Sequence, residues 1–281
     1  MKKIFFSKEC LNYGAFHIEG PERIEGAVKG LKEKGYLFCK PEIATEKELL
    51  LVHSKKYIEE LKRGELMRCP DTPVYDGIYD HARFSAGSAI SAAKSEGFSM
   101  MRPPGHHVGS EGFALGVKSR GFCYLNNIAI AVKCLGKRTL IIDIDGHHGN
   151  GTEEIFKGNK DVSFLSLHCR SIYPGTGLSS QGNCFNFPLR ENCGGDIYLR
   201  TLKRGLRMID MEKVELIAVS AGFDGFKGDL ASLGLAGDDF FEIGKLLGKE
   251  KRPTFFVLEG GYVSANIEEG IDKILKGFER K

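Results

Sequence analysis

No two of the eight cysteines stand in a CxxC pair. Cys10, Cys39, Cys69, Cys123, Cys134, Cys169, Cys184 and Cys193 are scattered singly. That scatter argues against a zinc ribbon or a redox dithiol and predicts reduced thiols in a cytoplasmic protein. No apolar run is long enough to span a membrane, and the opening MKKIFFSKEC has no stretch able to act as a signal-peptide core. A soluble, intracellular chain with no membrane partner is expected. An excess of one charge is missing too: 40 Lys and Arg against 37 Asp and Glu leave a formal +3, so direct nucleic-acid binding is not expected. Low-complexity linkers, repeats and compositional boundaries are also absent. With 281 residues, 42% of them hydrophobic, the chain can bury one large core, and a single domain over residues 1–281 is expected.

Short apolar runs rich in β-branched and aromatic residues read as strands buried on both faces: 139–145, 162–168, 216–220 and 254–258, with GFSMM as a shorter fifth. Helical patterns lie between them, at 125–135, 194–208 and 238–249. The alternation predicts an α/β protein, a three-layer α/β/α sandwich around a mainly parallel sheet. Such sheets gather ligands outside the carboxyl ends of their strands.

Each of these strands ends in reactive side chains. LIIDIDGHH brings Asp143, Asp145, His147 and His148; FLSLH brings His168; IAVSAGFDG brings Asp224; FFVLEGGY brings Glu259 and Tyr262; the RPPGHH loop after GFSMM brings His106 and His107. On a strand end the i, i+2 spacing of Asp145 and His147 points both at one ion, with Asp224 as a third ligand from a neighbouring strand. Two carboxylates and one imidazole suit zinc with an open position for water, and the oxygen-rich set admits iron as well. Capping of a following helix would explain any one of these aspartates. It does not explain four motifs at once.

A histidine pair held in a Pro-Pro-Gly loop can present both imidazoles at a pocket floor, and neutral imidazole is a natural general base near pH 7. Asp143 and Asn150 are the candidates for fixing tautomer and basicity from the far nitrogen. EGGY lets the backbone turn sharply after a buried strand, leaving the Tyr262 phenol free to donate to a forming oxyanion. His148, on the alternate side from His147, takes a supporting or packing role.

With these residues in place, the chain resembles the zinc-dependent histone deacetylase family, including the related acetylpolyamine amidohydrolases. RPPGHH, GFCYLNNIAIA, DIDGHHGNGTEEIF, SLH with YPGTG, SAGFDGFKGD and LEGGY occur in the family's order, and HIEGPERI is similar to its HPERPERI. RPPGHH and HGNG look like the class II branch. The resemblance implies an arginase-like α/β fold, with zinc on Asp145, His147 and Asp224. His106 and His107 match the tandem catalytic histidines, Asp143 the partner of His106, and Tyr262 the catalytic tyrosine. Asn150 stands where class I members have aspartate and class II members asparagine. Phe122 and Tyr173, with Gly121 beside them, match the walls of an acyl-lysine tunnel. Asp143, Asp145, His147, Ser166 and Leu167 match a structural potassium site. Arg23 reads equally as a buried channel arginine, as its place in the family implies, or as a structural arginine in an N-terminal helix.

The implied activity is metal-assisted hydrolysis of an N-acetyl amide, with an acetyl-lysine peptide or protein, an acetylated polyamine or a smaller acylated amine as substrate. Departures from the family pattern leave the choice open: Leu230 replaces an expected proline, no glutamate marks the rim for a second ammonium, and the chain is shorter before His106. An arginase-like manganese ureohydrolase would need a DxHxD run, which stops here at His147. A non-catalytic acyl-binding module would have lost a ligand or the tyrosine, and none is lost.

Overall fold

The computed structural model describes residues 2–280. The strands are β1 (Ile4–Phe5), β2 (Phe38–Cys39), β3 (Phe98–Ser99), β4 (Thr139–Asp143), β5 (Val162–Cys169), β6 (Cys184–Leu189), β7 (Leu216–Ala221) and β8 (Thr254–Leu258). Among the described residues they form one sheet in the order β2-β1-β3-β8-β7-β4-β5-β6, with every neighbouring pair parallel. The helices are α1 (Glu22–Glu33), α2 (Glu46–Leu49), α3 (Lys55–Arg63), α4 (Ile78–Ser95), α5 (Asn127–Leu135), α6 (Asn150–Phe156), α7 (Gly195–Arg207), α8 (Gly237–Lys249) and α9 (Ser264–Glu279).

Strand periodicity sorts the apolar side chains into two cores. Leu140 and Ile142 of β4, Ile217 and Val219 of β7, and Phe256 and Leu258 of β8 pack with α1, α7, α8 and α9 on one face. Their alternate neighbours Ile141, Ala218, Phe255 and Val257 pack with α3, α4 and α5 on the other. The expected three-layer sandwich is therefore present, and its sheet is wholly parallel. Phe256 shows how tight the packing is: it is fully buried and stacks on Phe98 at a centroid separation of 5.9 Å. Truncating it to alanine would cost about 3–5 kcal/mol.

The strand register also aligns the chemistry. Asp143, the last residue of β4, lies opposite Ser166 on one side and Ser220 on the other, while β5 runs on to Cys169 and β7 ends at Ala221. Side-chain amides from the start of α5 brace the loop after β3. Asn126 Nδ2 donates to the Val108 carbonyl at 3.0 Å, and Asn127 Nδ2 donates to the Pro103 carbonyl at 3.0 Å. Between these two anchors stand His106 and His107. All eight cysteines are unpaired, and among the described residues no helix is long and apolar enough to cross a membrane.

Candidate active site

Asp145, His147 and Asp224 converge after β4 and β7, with one ligand atom of each lying within 4.8 Å of the others, all buried. The reason differs from the sequence expectation. Strand β4 ends at Asp143, so Asp145 and His147 lie in the following loop and strand alternation does not align them. Hydrogen bonds do: Asp145 Oδ1 accepts from the His147 amide at 2.8 Å, and Asp145 Oδ2 accepts from the Gly260 amide at 2.7 Å. Asp224 Oδ1 accepts from the Gly146 amide at 2.7 Å, while its Oδ2 lies 2.6 Å from His147 Nδ1. Backbone N–H groups thus fix both oxygens of Asp145 and one oxygen of Asp224, and the three side chains are held together by these bonds.

The electrostatics of this cluster suit a cation. Burial and then the charge of Asp145 push the Asp224 carboxyl up to about 6. Two buried carboxylates sharing one imidazole carry surplus negative charge, and a bound cation would compensate it. The donor set therefore fits a metal ion.

The two histidines are adjacent, with ring centroids 4.0 Å apart, yet their partners differ. His106 Nδ1 is 2.9 Å from Asp143 Oδ2, whereas His107 Nδ1 is 2.7 Å from Asn150 Oδ1. Burial alone would depress the His106 pKa, but Asp143, Asp145 and Glu259 outweigh it and raise it to about 10. Burial lowers the His107 pKa well below its ordinary value, and His106 and His147 push it the same way. The carboxylates around His106 thus favour its charged form, and burial beside other imidazoles favours the neutral form of His107. Gly149 permits the first contact: a Cβ there would stand 2.1 Å from Asp143 Oδ2.

Aromatic rings surround the approach. Tyr173 packs edge-on against His107 at 4.8 Å, and Phe122 packs against Tyr262 at 5.9 Å. Gly121, at φ +51°, brings the backbone so close that a Cβ would stand 2.3 Å from His107 Cδ2. Burial raises the Tyr262 phenol well above its ordinary pKa, so it remains a hydrogen-bond donor. Leu230 is exposed and Ala231 is buried, so the leucine is the one that reaches the surface.

Other residues occupy supporting positions. Ser166 Oγ lies 2.9 Å from His168 Nδ1, and Leu167 is buried beside it. His148 lies 2.8 Å from Thr176 Oγ1 and 3.0 Å from Glu153 Oε2, in keeping with the supporting role expected of it. Arg23 belongs to α1 and is buried; it donates from Nε to the Gly261 carbonyl at 2.6 Å and stands 5.1 Å from the Tyr262 ring.

Three residues that support the site were given no role by sequence reasoning. Glu259 was noted only as a strand end; its carboxylate accepts from the Gly105 and His106 amides at 2.7 and 3.1 Å. His17 stacks edge-on against Phe122 at 5.1 Å. Asp229, buried behind Tyr262, accepts from the Tyr262 amide at 3.1 Å. The only available signal was GD within FKGDL, which resemblance registered merely as the place where a proline is missing.

A parallel α/β/α sheet with a buried Asp-His-Asp cluster and a histidine pair at its carboxyl rim defines a hydrolase of the deacetylase class. Residues 17–278 match the histone deacetylase domain, and the chain belongs to that family. It is 34% identical to a probable deacetylase of Archaeoglobus fulgidus, across 92% of this chain and 80% of that one. It is also 34% identical to acetylpolyamine amidohydrolase 2 of Pseudomonas aeruginosa, across 74% of this chain and 64% of that protein's length, just under two thirds. The crystal structure of the HDA15 HD domain superposes with a TM-score of 0.87 at 28% identity, covering 99% of this chain and 91% of that one. The chain is accordingly a deacetylase that hydrolyses N-acetyl amides to acetate and free amine.

Proposed function

We propose that residues 1–281 form one metal-dependent deacetylase domain acting on acetyl-lysine in a peptide or protein, with Asp145, His147 and Asp224 as ligands to zinc or, alternatively, iron. The observation that carries this reading is the divided pair: His106 on a carboxylate and His107 on an amide, beside a buried Asp-His-Asp cluster. When bound, the ion polarises the acetyl carbonyl and makes a neighbouring water more acidic. Asn150 accepts from His107 Nδ1, which leaves the Nε2 lone pair to take the water proton. His106 stays charged on Asp143, and the histidine pair returns a proton to the departing amine. The Tyr262 hydroxyl donates to the oxyanion. Phe122, Tyr173 and Gly121 enclose the acyl-lysine stem, for which a flat apolar slot is suitable. Asp143, Asp145, His147, Ser166 and Leu167 form a structural potassium site where the end of β4 lies beside β5.

Similarity to an acetylpolyamine amidohydrolase supports a second reading, with an acetylated polyamine in place of the peptide. Acetate release from acetyl-lysine peptides and from acetylpolyamines, measured after chelation and after return of zinc or iron, tests both. The expected result is hydrolysis that chelator abolishes and metal restores, faster on the peptides. Chelator-insensitive hydrolysis would defeat the metal assignment, and faster turnover of polyamines would favour the second substrate.

A further inference from the structure

The hydroxyl assigned to the oxyanion belongs to a residue in an irregular loop, between the end of β8 and the start of α9. Its ring contacts are loose: Phe122 lies edge-on at 5.9 Å and the Arg23 guanidinium at 5.1 Å. Ring contacts are weakly directional, so they do not by themselves fix a donor to within a fraction of an ångström. The backbone beneath the ring is held differently.

The Asp229 carboxylate is buried and accepts from several donors of this one segment. Tyr262 N–H reaches Oδ1 at 3.1 Å and Oδ2 at 3.3 Å, Val263 N–H reaches Oδ2 at 3.2 Å, and Asn266 Nδ2 reaches Oδ2 at 2.9 Å. Its remaining contact is local, with the Leu230 N–H at 2.8 Å. Asp229 is in turn tied to the metal cluster through the backbone. The carbonyl of Asp224 accepts from the Ala231 and Ser232 amides at 3.1 Å each, folding residues 224–232 into a closed loop. One end of that loop holds a ligand carboxylate and the other holds the tyrosine backbone.

We propose that Asp229 is a positioning residue for the reaction, setting the place of the Tyr262 hydroxyl relative to the Asp145, His147 and Asp224 cluster. The proposal rests on the reading of Tyr262 as the oxyanion donor. Misplacing a reacting group by about 1 Å costs roughly 10²-fold in rate, so a brace of this kind has a measurable consequence. The competing role is ordinary: a carboxylate near the start of α9 also stabilises a helix N-terminus. That role would lower stability without singling out the tyrosine.

A double-mutant cycle separates the two, with kcat and KM measured on an acetyl-lysine peptide for the wild type, Asp229→Ala, Tyr262→Phe and the double variant. Asp229→Ala is expected to lower kcat at least about tenfold with KM within about twofold, and to cost less than about twofold once the hydroxyl is gone. An equal loss in both backgrounds, or wild-type kcat in Asp229→Ala, would overturn the proposal in favour of helix capping. Wild-type turnover by Tyr262→Phe alone would instead overturn the tyrosine reading, and the brace with it. Should Asp229→Ala not fold, Asp229→Asn takes its place in the same cycle, since it keeps the shape and one acceptor oxygen. A smaller but equally non-additive loss is then expected, and an additive one overturns the proposal.

Discussion

The floor of the site and its mouth are built by different forces. On the floor, His106, His107, Asp143, Asp145, Asn150 and Asp224 are buried, and each is held by hydrogen bonds from side chains or backbone amides. At the mouth, Phe122, Tyr173 and Tyr262 are partly exposed and meet their neighbours mainly through ring contacts, and Leu230 and Phe16 face solvent. Hydrogen bonds fix direction as well as distance, whereas apolar contact fixes only proximity. The floor therefore specifies most of the chemistry and tolerates little, while the mouth, apart from the Tyr262 hydroxyl, can change its substrate without disturbing the reaction. The severest break in this contrast is Asp145→Ala, which removes a ligand and frees the Gly260 amide. Turnover should fall at least about 10³-fold, a loss of several kcal/mol in transition-state stabilisation. Elemental analysis should show the purified variant depleted of metal; a variant that kept both metal and turnover would remove Asp145 from the ligand set.

Support for the floor extends to His53, whose Nε2 accepts from the Asn126 amide at 2.9 Å. Asn126 in turn braces the histidine loop through Val108. Burial lowers the His53 pKa from 6.5 to about 4. Between those values the unfolded chain binds the proton and the folded chain does not, so stability rises with pH and is lost as pH falls from 6.5 towards 4. The shift corresponds to about 3 kcal/mol at most. Urea unfolding of the wild type and of His53→Gln across pH 4–7 checks this. The variant should be weaker at neutral pH and show a flatter dependence. Parallel curves would mean that the acid sensitivity comes from other groups.

The same contrast explains how much could be read before the structure was known. Strands β4, β5, β7 and β8 announce themselves because five to eight residues, nearly all buried, leave a largely apolar run. Strands β1 and β2 have two residues each, too few for any period. Strand β6 reads CFNFPL, and its asparagine and proline suit the sheet edge it occupies rather than a buried run. The floor residues were readable because their side-chain types are rare at strand ends and serve chemistry there. Asp229 and Glu259 act on backbone amides distant in sequence, and an N–H group carries no mark of residue type. The alignment of Asp145 with His147 was expected for the wrong reason, since the strand stops at Asp143 and hydrogen bonds take over.

Phe16 gives the smallest and most discriminating effect. It is fully exposed, yet it sits at φ +67°, a left-handed conformation that costs a residue with a Cβ about 1 kcal/mol or more. Its neighbour His17 packs against Phe122, so the ring stands beside the mouth without contributing to the core. Phe16→Gly removes the backbone strain and exposes no new apolar surface, so stability should rise by about 1 kcal/mol. If mouth and floor are as separable as their forces imply, kcat stays unchanged and KM for an acetyl-lysine peptide moves by no more than a few-fold. Thermal unfolding and steady-state kinetics on the same preparation measure both. A fall in kcat would show that strain at the mouth is transmitted through His17 and Phe122 to Tyr262, and the division between the two regions would then fail at that row of rings.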